Sequence, residues 1–377
     1  MNTRPIYAES TQELEEQIKA LQSSFFTPTL GIIFSSPKHD LNVICNLFDQ
    51  ADIDLFGCST AGEILFSEIH DEQIVGVFMD IKKENYKIIS KPTDGKIYET
   101  AFEMGLEVKN TFDKPAVMLA SGGITIDAEK IVEGLEDSIQ KNIPIFGGLA
   151  GDDLALTQTY SLSRDGAEDG GLVFIIFNTD KVSIEGLATS GWEAIGNVHT
   201  ITKAEGNVVY TIDDKPALDV FINYFGYFDN FRLDGNDIET MSAQYPLQIL
   251  REGDYNVLRS PLIGDKEERT LILAGGVKQG DQFKFSISPG FEVIDQTIKE
   301  FGGLQKKAPE TELMVLFSCK GRHAALGPLI EDEITGLNKY WDAPLIGFFS
   351  YGEFGNVKNG KCDFHNETCS LVLIKEK

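Results

Sequence analysis

Leu345-Ile346-Gly347-Phe348-Phe349-Ser350-Tyr351-Gly352-Glu353 repeats, without a gap, the pattern of Leu55-Phe56-Gly57-Cys58-Ser59-Thr60-Ala61-Gly62-Glu63. Each run is a short apolar stretch that passes through a glycine into small residues and ends in Gly-Glu. A looser copy, Ile145-Phe146-Gly147-Gly148-Leu149-Ala150-Gly151-Asp152-Asp153, ends in Gly-Asp one residue earlier. The likeness extends upstream. Leu313 to Cys319 parallels Leu30 to Ser36 position for position, and Val117-Met118-Leu119-Ala120-Ser121-Gly122 opens the middle copy. Between the two halves of each copy lies a helical pattern. Asp40 can cap a helix with Leu41, Ile44, Cys45 and Phe48 on one face, and Asp127 one with Ile131, Val132, Leu135 and Ile139. Each copy therefore reads as strand, helix, strand and a glycine-rich turn bearing a carboxylate. The fold class expected is α/β with mixed sheets, in two lobes of repeated strand-helix-strand units whose helices pack on the sheets. Loops at strand ends are where such folds place ligands. Glycine there also permits tight turns and close backbone approach, without any ligand.

The rest of the chain supplies further elements. Ser10 with Glu13 makes a capping box before Leu14, Ile18 and Leu21, which predicts an N-terminal helical extension over residues 1–24. Leu172 to Phe177 reads as a fully buried strand, and His199 to Ile212 as two strands about a Glu205-Gly206-Asn207 turn. A helix starting at Pro216 carries Leu218, Phe221, Ile222 and Phe225 and is expected to stop at Gly226. Phe291, Ile294, Ile298 and Phe301 predict another helix, stopped by Gly302. No Pro/Ser-rich linker separates the halves, so close packing between them is expected.

Of 377 residues, 33 are Lys or Arg and 59 are Asp or Glu, a formal charge of −26. That balance argues against nucleic acid, which needs cations to displace phosphate counterions, and against an anionic membrane surface. No apolar run approaches the ~18–20 residues of a membrane span, and Met1 to Pro5 lacks the apolar stretch of a secretory signal. The five cysteines are read as reduced thiols in a cytoplasmic protein.

No P-loop, HExxH pair, hydrolase elbow or kinase motif is present. Cys319, with Arg322 and His323 close in sequence, could serve as the nucleophile of a thiol-dependent enzyme. Cys362, His365 and Cys369 could offer soft ligands to a metal, although their spacing matches no closed structural zinc pattern. The preferred site combines opposite charges. Ser59, Thr60, Gly62 and Glu63 from the first turn join Gly148, Asp152 and Asp153 from the second. Ser318, Cys319 and Arg322, then Ser350, Tyr351, Gly352 and Glu353, and finally Asn366, complete it. A carboxylate can take a ligand's ammonium while an arginine forks onto its carboxylate, with turn amides as further donors. Alternatively, Arg322 pairs with one of these acids as a structural salt bridge.

These motifs resemble the FIST family. The Gly57–Glu63 and Gly147–Asp153 turns are similar to its N-terminal part. Pro216-Ala217-Leu218-Asp219, Tyr245-Pro246-Leu247, Arg259-Ser260-Pro261, Ser318-Cys319 with Arg322, the Gly347–Glu353 turn, and Asn366 with Thr368 are similar to its C-terminal part. The resemblance runs from about residue 28 to residue 370 and implies an N-terminal domain over 25–216 and a C-terminal domain with a closing strand over 217–377. It implies a non-enzymatic sensory protein of bacterial signal transduction that binds a small ligand such as an amino acid. Its partner would be a histidine kinase or cyclic-di-GMP enzyme, reached in trans. One branch of the family implies haem binding and nitric-oxide sensing, for which His365, adjoining the Asn366 motif, is the candidate ligand. No Cys-x-x-Cys-His attachment motif accompanies it.

Overall fold

The computed structural model describes residues 1–21, 25–225, 245–251, 255–288, 290–356 and 362–377. Each repeat noted in the sequence forms two parallel strands joined by helix. Leu30–Ser35 pairs with Asp54–Ser59 through the helix Leu41–Gln50. Pro115–Ser121 pairs with Ile145–Leu149 through Ala128–Ile139. Leu313–Cys319 pairs with Leu345–Ser350 through Lys320–Leu326 and Leu329–Asn338. Asp40 accepts from the Asn42 and Val43 amides, both at 3.1 Å, and Asp127 from that of Glu129 at 3.1 Å, so both helices start where their caps are read.

Every unit is larger than this core. An edge strand and a helix precede it: Thr3–Ala8 and Thr11–Leu21 in the first unit, Tyr86–Pro92 and Ile97–Thr111 in the second, Val182–Thr189 and Glu292–Lys307 in the third. A hairpin and a return strand follow: Glu63–His70 then Ile74–Met79, Tyr160–Asp169 then Gly171–Asn178, Glu353–His365 then Cys369–Glu376. Return strands rejoin their own unit, antiparallel to its first parallel strand. The hairpins do not. The first unit's hairpin pairs with Leu345–Ser350 of the third, the third's with Ile145–Leu149 of the second, and the second's with Asp54–Ser59 of the first. Three six-stranded sheets result, each completed by a neighbour. Strands on both sides of residue 216 therefore share sheets.

Both faces of the parallel pairs are buried, which explains their unbroken apolar runs. One face of every sheet points to a common core, where the rings of Phe34, Phe317 and Phe348 meet at centroid separations of 4.7 to 6.2 Å. The other face is covered by its unit's helices, with Ile33 against Ile44 and Phe48, Leu119 against Ile131 and Leu135, and Leu316 against Ile330 and Ile334 in separate clusters. Burying one such large side chain is worth about 1.5–3 kcal/mol.

The third unit carries an insertion between its edge strand and first helix. There, an eight-stranded antiparallel sheet runs from Glu193 to Ile287 around its own core, with Phe221, Phe283 and Phe285 at the centre. Its Glu193–Glu205 and Val208–Ile212 strands turn at Gly206, where φ is +58°.

Two expectations change. The N-terminal segment is a strand as well as a helix, because Thr3–Ala8 closes the edge of the first sheet beside Ile74–Met79. Gly302 does not stop its helix, which continues to Lys307; the glycine instead admits the Tyr340 hydroxyl, 2.7 Å from where a Cβ would stand. Gly226 lies outside the described residues. Among those described, no helix is long and apolar enough to cross a membrane.

Candidate functional site

The shared glycines at the strand ends have a steric cause. A Cβ on Gly57, Gly147 or Gly347 would lie 2.0 to 2.2 Å from the carbonyl oxygen of Ile33, Leu119 or Leu316 on the parallel neighbour. The second glycine of the two Gly-Glu turns is needed for a different reason: Gly62 and Gly352 have φ of +114° and +152°.

The three turns converge and close a ring through backbone hydrogen bonds. Ala61 donates to Phe349 O (3.1 Å) and Phe349 to Gly62 O (2.9 Å); Leu149 donates to Gly352 O (2.8 Å) and Tyr351 to Leu149 O (3.2 Å); Gly151 donates to Ser59 O (2.9 Å) and Asp153 to Thr60 O (3.1 Å). Their carboxylates turn inward. Glu63 accepts from the Thr60 hydroxyl and the Gln73 amide, and Glu353 from Ser350 and Thr368 at 2.6 Å each. Burial pushes both carboxyls up to about 8. Asp152 accepts from the amides of Leu156, Thr157 and Gln158 and from the Tyr351 hydroxyl at 2.6 Å, while Asp153 accepts from Ser36 at 2.6 Å. Ser59 donates to Gly151 O at 2.7 Å.

Arg322 stands apart from these acids. Its guanidinium is fully buried and forks onto Glu333, with further bonds to Thr297 (3.0 Å) and to the carbonyls of Ser190 and Glu367. It is thus saturated by protein groups, through a glutamate that the sequence reading did not single out.

A cavity of about 930 Å³ opens beside the ring, at the carboxyl ends of the parallel strands of the second and third units and under the inserted sheet. Of the sequence-derived set, Cys319, Ser350, Tyr351 and Asn366 line it; Ser59, Thr60, Gly62, Glu63, Gly148, Asp152, Asp153, Ser318, Arg322, Gly352 and Glu353 do not. Further wall comes from Lys320, His323 and Glu367, from Ile124 to Ala128, and from Gly206, Asn207, Ser260, Leu262, Ile263 and Leu273 to Gly276 of the insertion. Leu154, Leu156, Leu262 and Ile263 stay partly exposed along it.

The polar end of this cavity is the turn Asn366-Glu367-Thr368. Both amide atoms of Asn366 and Oε2 of Glu367 are buried without a hydrogen-bond partner, although each residue is only 1% exposed. Glu367 Oε1 accepts from Ser260 of the insertion at 2.6 Å, and Glu367 holds φ at +55°, unusual for a side chain of that kind. Burial pushes its carboxyl up to about 7, against the Ser260 bond and Arg322, which favour the charged form. Arg322 and Glu353 hold this turn from behind, through Glu367 O and the Thr368 hydroxyl. Lys320 is pulled below its usual range by burial and lies near Asp71, Asp153 and Glu63, with its ammonium 5.3 Å over the Phe349 ring. His323 stacks on that ring at 4.2 Å, and burial followed by Lys320 lowers it to about 4, so it is neutral at pH 7.

The Cys319 thiol is pushed well above its ordinary value by burial and by Glu353 and Glu367, which opposes a thiolate nucleophile. His365 is 1% exposed, its Nε2 bonds Gly355 O at 3.0 Å, and it does not line the cavity, so it does not fit a haem-ligand role. No group of three or more His, Cys, Asp or Glu among the described residues could hold a metal, and all five cysteines are free and buried.

Comparison with known proteins adds two findings. The FIST N domain model matches residues 29–215 and the FIST C domain model residues 217–356. An uncharacterized protein of Methanocaldococcus jannaschii is 22% identical over 263 residues, which are 62% of this chain and 49% of the relative, so the chain spans about half the length of that curated relative.

Proposed function

Because this chain belongs to the FIST family, whose domains are associated with sensing in signal transduction, we propose that it is a sensor whose small metabolite ligand, an amino acid or a related compound, occupies the 930 Å³ cavity beneath the inserted sheet. The observation that carries this reading is the buried, unpaired Asn366 amide and the buried, half-paired Glu367 carboxylate in a cavity with an apolar rim. Buried polar groups without partners cost about 1–3 kcal/mol each, and a ligand that pairs them recovers that cost. The volume lies within the range of small-molecule sites.

The ligand would touch three parts of the chain at once: the second unit, the third unit and the insertion. Binding would favour the arrangement in which they are closed on each other, and a signalling partner such as a histidine kinase or cyclic-di-GMP enzyme would read that population. The test is a thermal-shift panel of amino acids and related metabolites. A ligand at 100 times its Kd adds about 2.7 kcal/mol, which moves the melting temperature by several degrees. Absence of any shift across the panel removes the reading.

A further inference from the structure

Two residues that line the cavity carry three buried polar atoms without partners: Asn366 Nδ2, which donates, and Asn366 Oδ1 and Glu367 Oε2, which accept. A ligand head that satisfies all three supplies two donors and one acceptor. The charges nearby restrict it further. Arg322 is saturated by Glu333, Thr297 and two carbonyls. Lys320 lies among Asp71, Asp153 and Glu63, and its neighbour His323 is neutral at pH 7. A ligand carboxylate would meet the Glu367 oxygen acceptor to acceptor, and Lys320, the cation among the described lining residues, already feels the field of Asp71, Asp153 and Glu63 and contacts His323. An ammonium could donate to both acceptors but would face the Asn366 NH2 donor to donor.

Resting on the reading of this cavity as the ligand site, we propose that it selects an uncharged primary carboxamide carried on an apolar body. The ligand's two N–H groups donate to Asn366 Oδ1 and Glu367 Oε2, and its carbonyl accepts from Asn366 Nδ2. The body lies against Leu154, Leu156, Leu262 and Ile263, apolar side chains that line the cavity while remaining 36 to 54% exposed. The assignment separates an amide from the free acid of the same skeleton. A site built around fixed donors and acceptors rejects an analogue that leaves them unpaired far more strongly than it rejects a change in apolar bulk.

The experiment compares hexanamide, hexanoate and hexylamine, which share one body and differ at the head, by calorimetric titration at pH 7.5. Hexanamide is expected to bind at least tenfold more tightly than the other two, and Asn366→Asp, which keeps the shape and removes the amide donor, to lose at least tenfold of that affinity. Hexanoate or hexylamine binding as tightly as hexanamide overturns the assignment, as does Asn366→Asp binding hexanamide unchanged. If an amino acid of the thermal panel binds and hexanamide does not, the carboxamide head is wrong while the cavity reading survives. If nothing binds in either experiment, both fall.

Discussion

Asp71-Glu72-Gln73 in the first unit and Asn366-Glu367-Thr368 in the third are the same turn built twice. Each joins the exchanged hairpin to the return strand, and each has a left-handed glutamate at its centre, at φ +63° and +55°. In each, the third residue covers the buried glutamate of its own Gly-Glu corner, Gln73 on Glu63 and Thr368 on Glu353. Yet Asp71 and Glu72 are exposed, and Glu72 pairs with Lys38 in solvent, whereas Asn366 and Glu367 are buried beside a cavity with unpaired atoms. The difference is the cover. The insertion between Thr189 and Glu292 places Ser260 and its neighbours over the third unit, and among the described residues nothing equivalent lies over the first. A cavity with unpaired polar groups can thus arise from burying one copy of a repeated turn rather than from inventing a new one.

The sharpest way to break this comparison is Arg322→Met. The third turn depends on Arg322 through Glu367 O, and removing the cation strands Glu333 in the interior. The expected cost is about 3–5 kcal/mol, read as a lower denaturation midpoint. A change below about 1 kcal/mol would show that the turn stands without it.

The next effect concerns what the two turns share. Glu63 and Glu353 rise on folding from 4.5 to about 8, so between those values the folded chain binds more protons than the unfolded one. Stability should therefore fall as pH rises from about 5 to 8 and level off above. Glu353→Gln, which cannot ionise, should remove part of that slope; an unchanged slope would show that Glu353 ionises freely in the folded state.

The smallest effect is the most discriminating. Asn366→Leu should stabilise the unliganded protein by about 1 kcal/mol, read as a higher melting temperature, because an unpaired buried amide is replaced by an apolar group of similar size. Asp71→Leu at the exposed counterpart should stay within about 0.5 kcal/mol. Destabilisation by Asn366→Leu would place that amide among structural groups instead of ligand contacts.

The parallel pairs were legible because their residues repeat in register: apolar runs buried on both faces, glycines where a neighbouring carbonyl leaves no room for Cβ, and helix caps at Asp40 and Asp127. The exchange of hairpins was not. Glu63–Leu65 and Glu353–Asn356 look like ordinary strands, and their partners are set by the convergence of three units rather than by anything local. The site was partly legible. Asn366, Tyr351, Ser350 and Cys319 line the cavity, but the charged residues that drew most attention, Glu63, Glu353 and Arg322, are satisfied inside the protein. Glu367 could have been found by aligning residues 71–73 with 366–368. No sequence signal places Ser260 or Leu262 on one cavity wall with Leu154 across so many intervening residues, because that wall exists only once the insertion has folded over the third unit.

The cyclic trade of hairpins also bears on how the molecule comes apart. No unit can leave without stripping an edge from the next, and every freed edge would bare a row of unpaired amides and carbonyls. The three therefore melt together or not at all, and a nick near residue 216 would leave two halves still clasped. The inserted sheet, whose core is its own, lies outside that cycle.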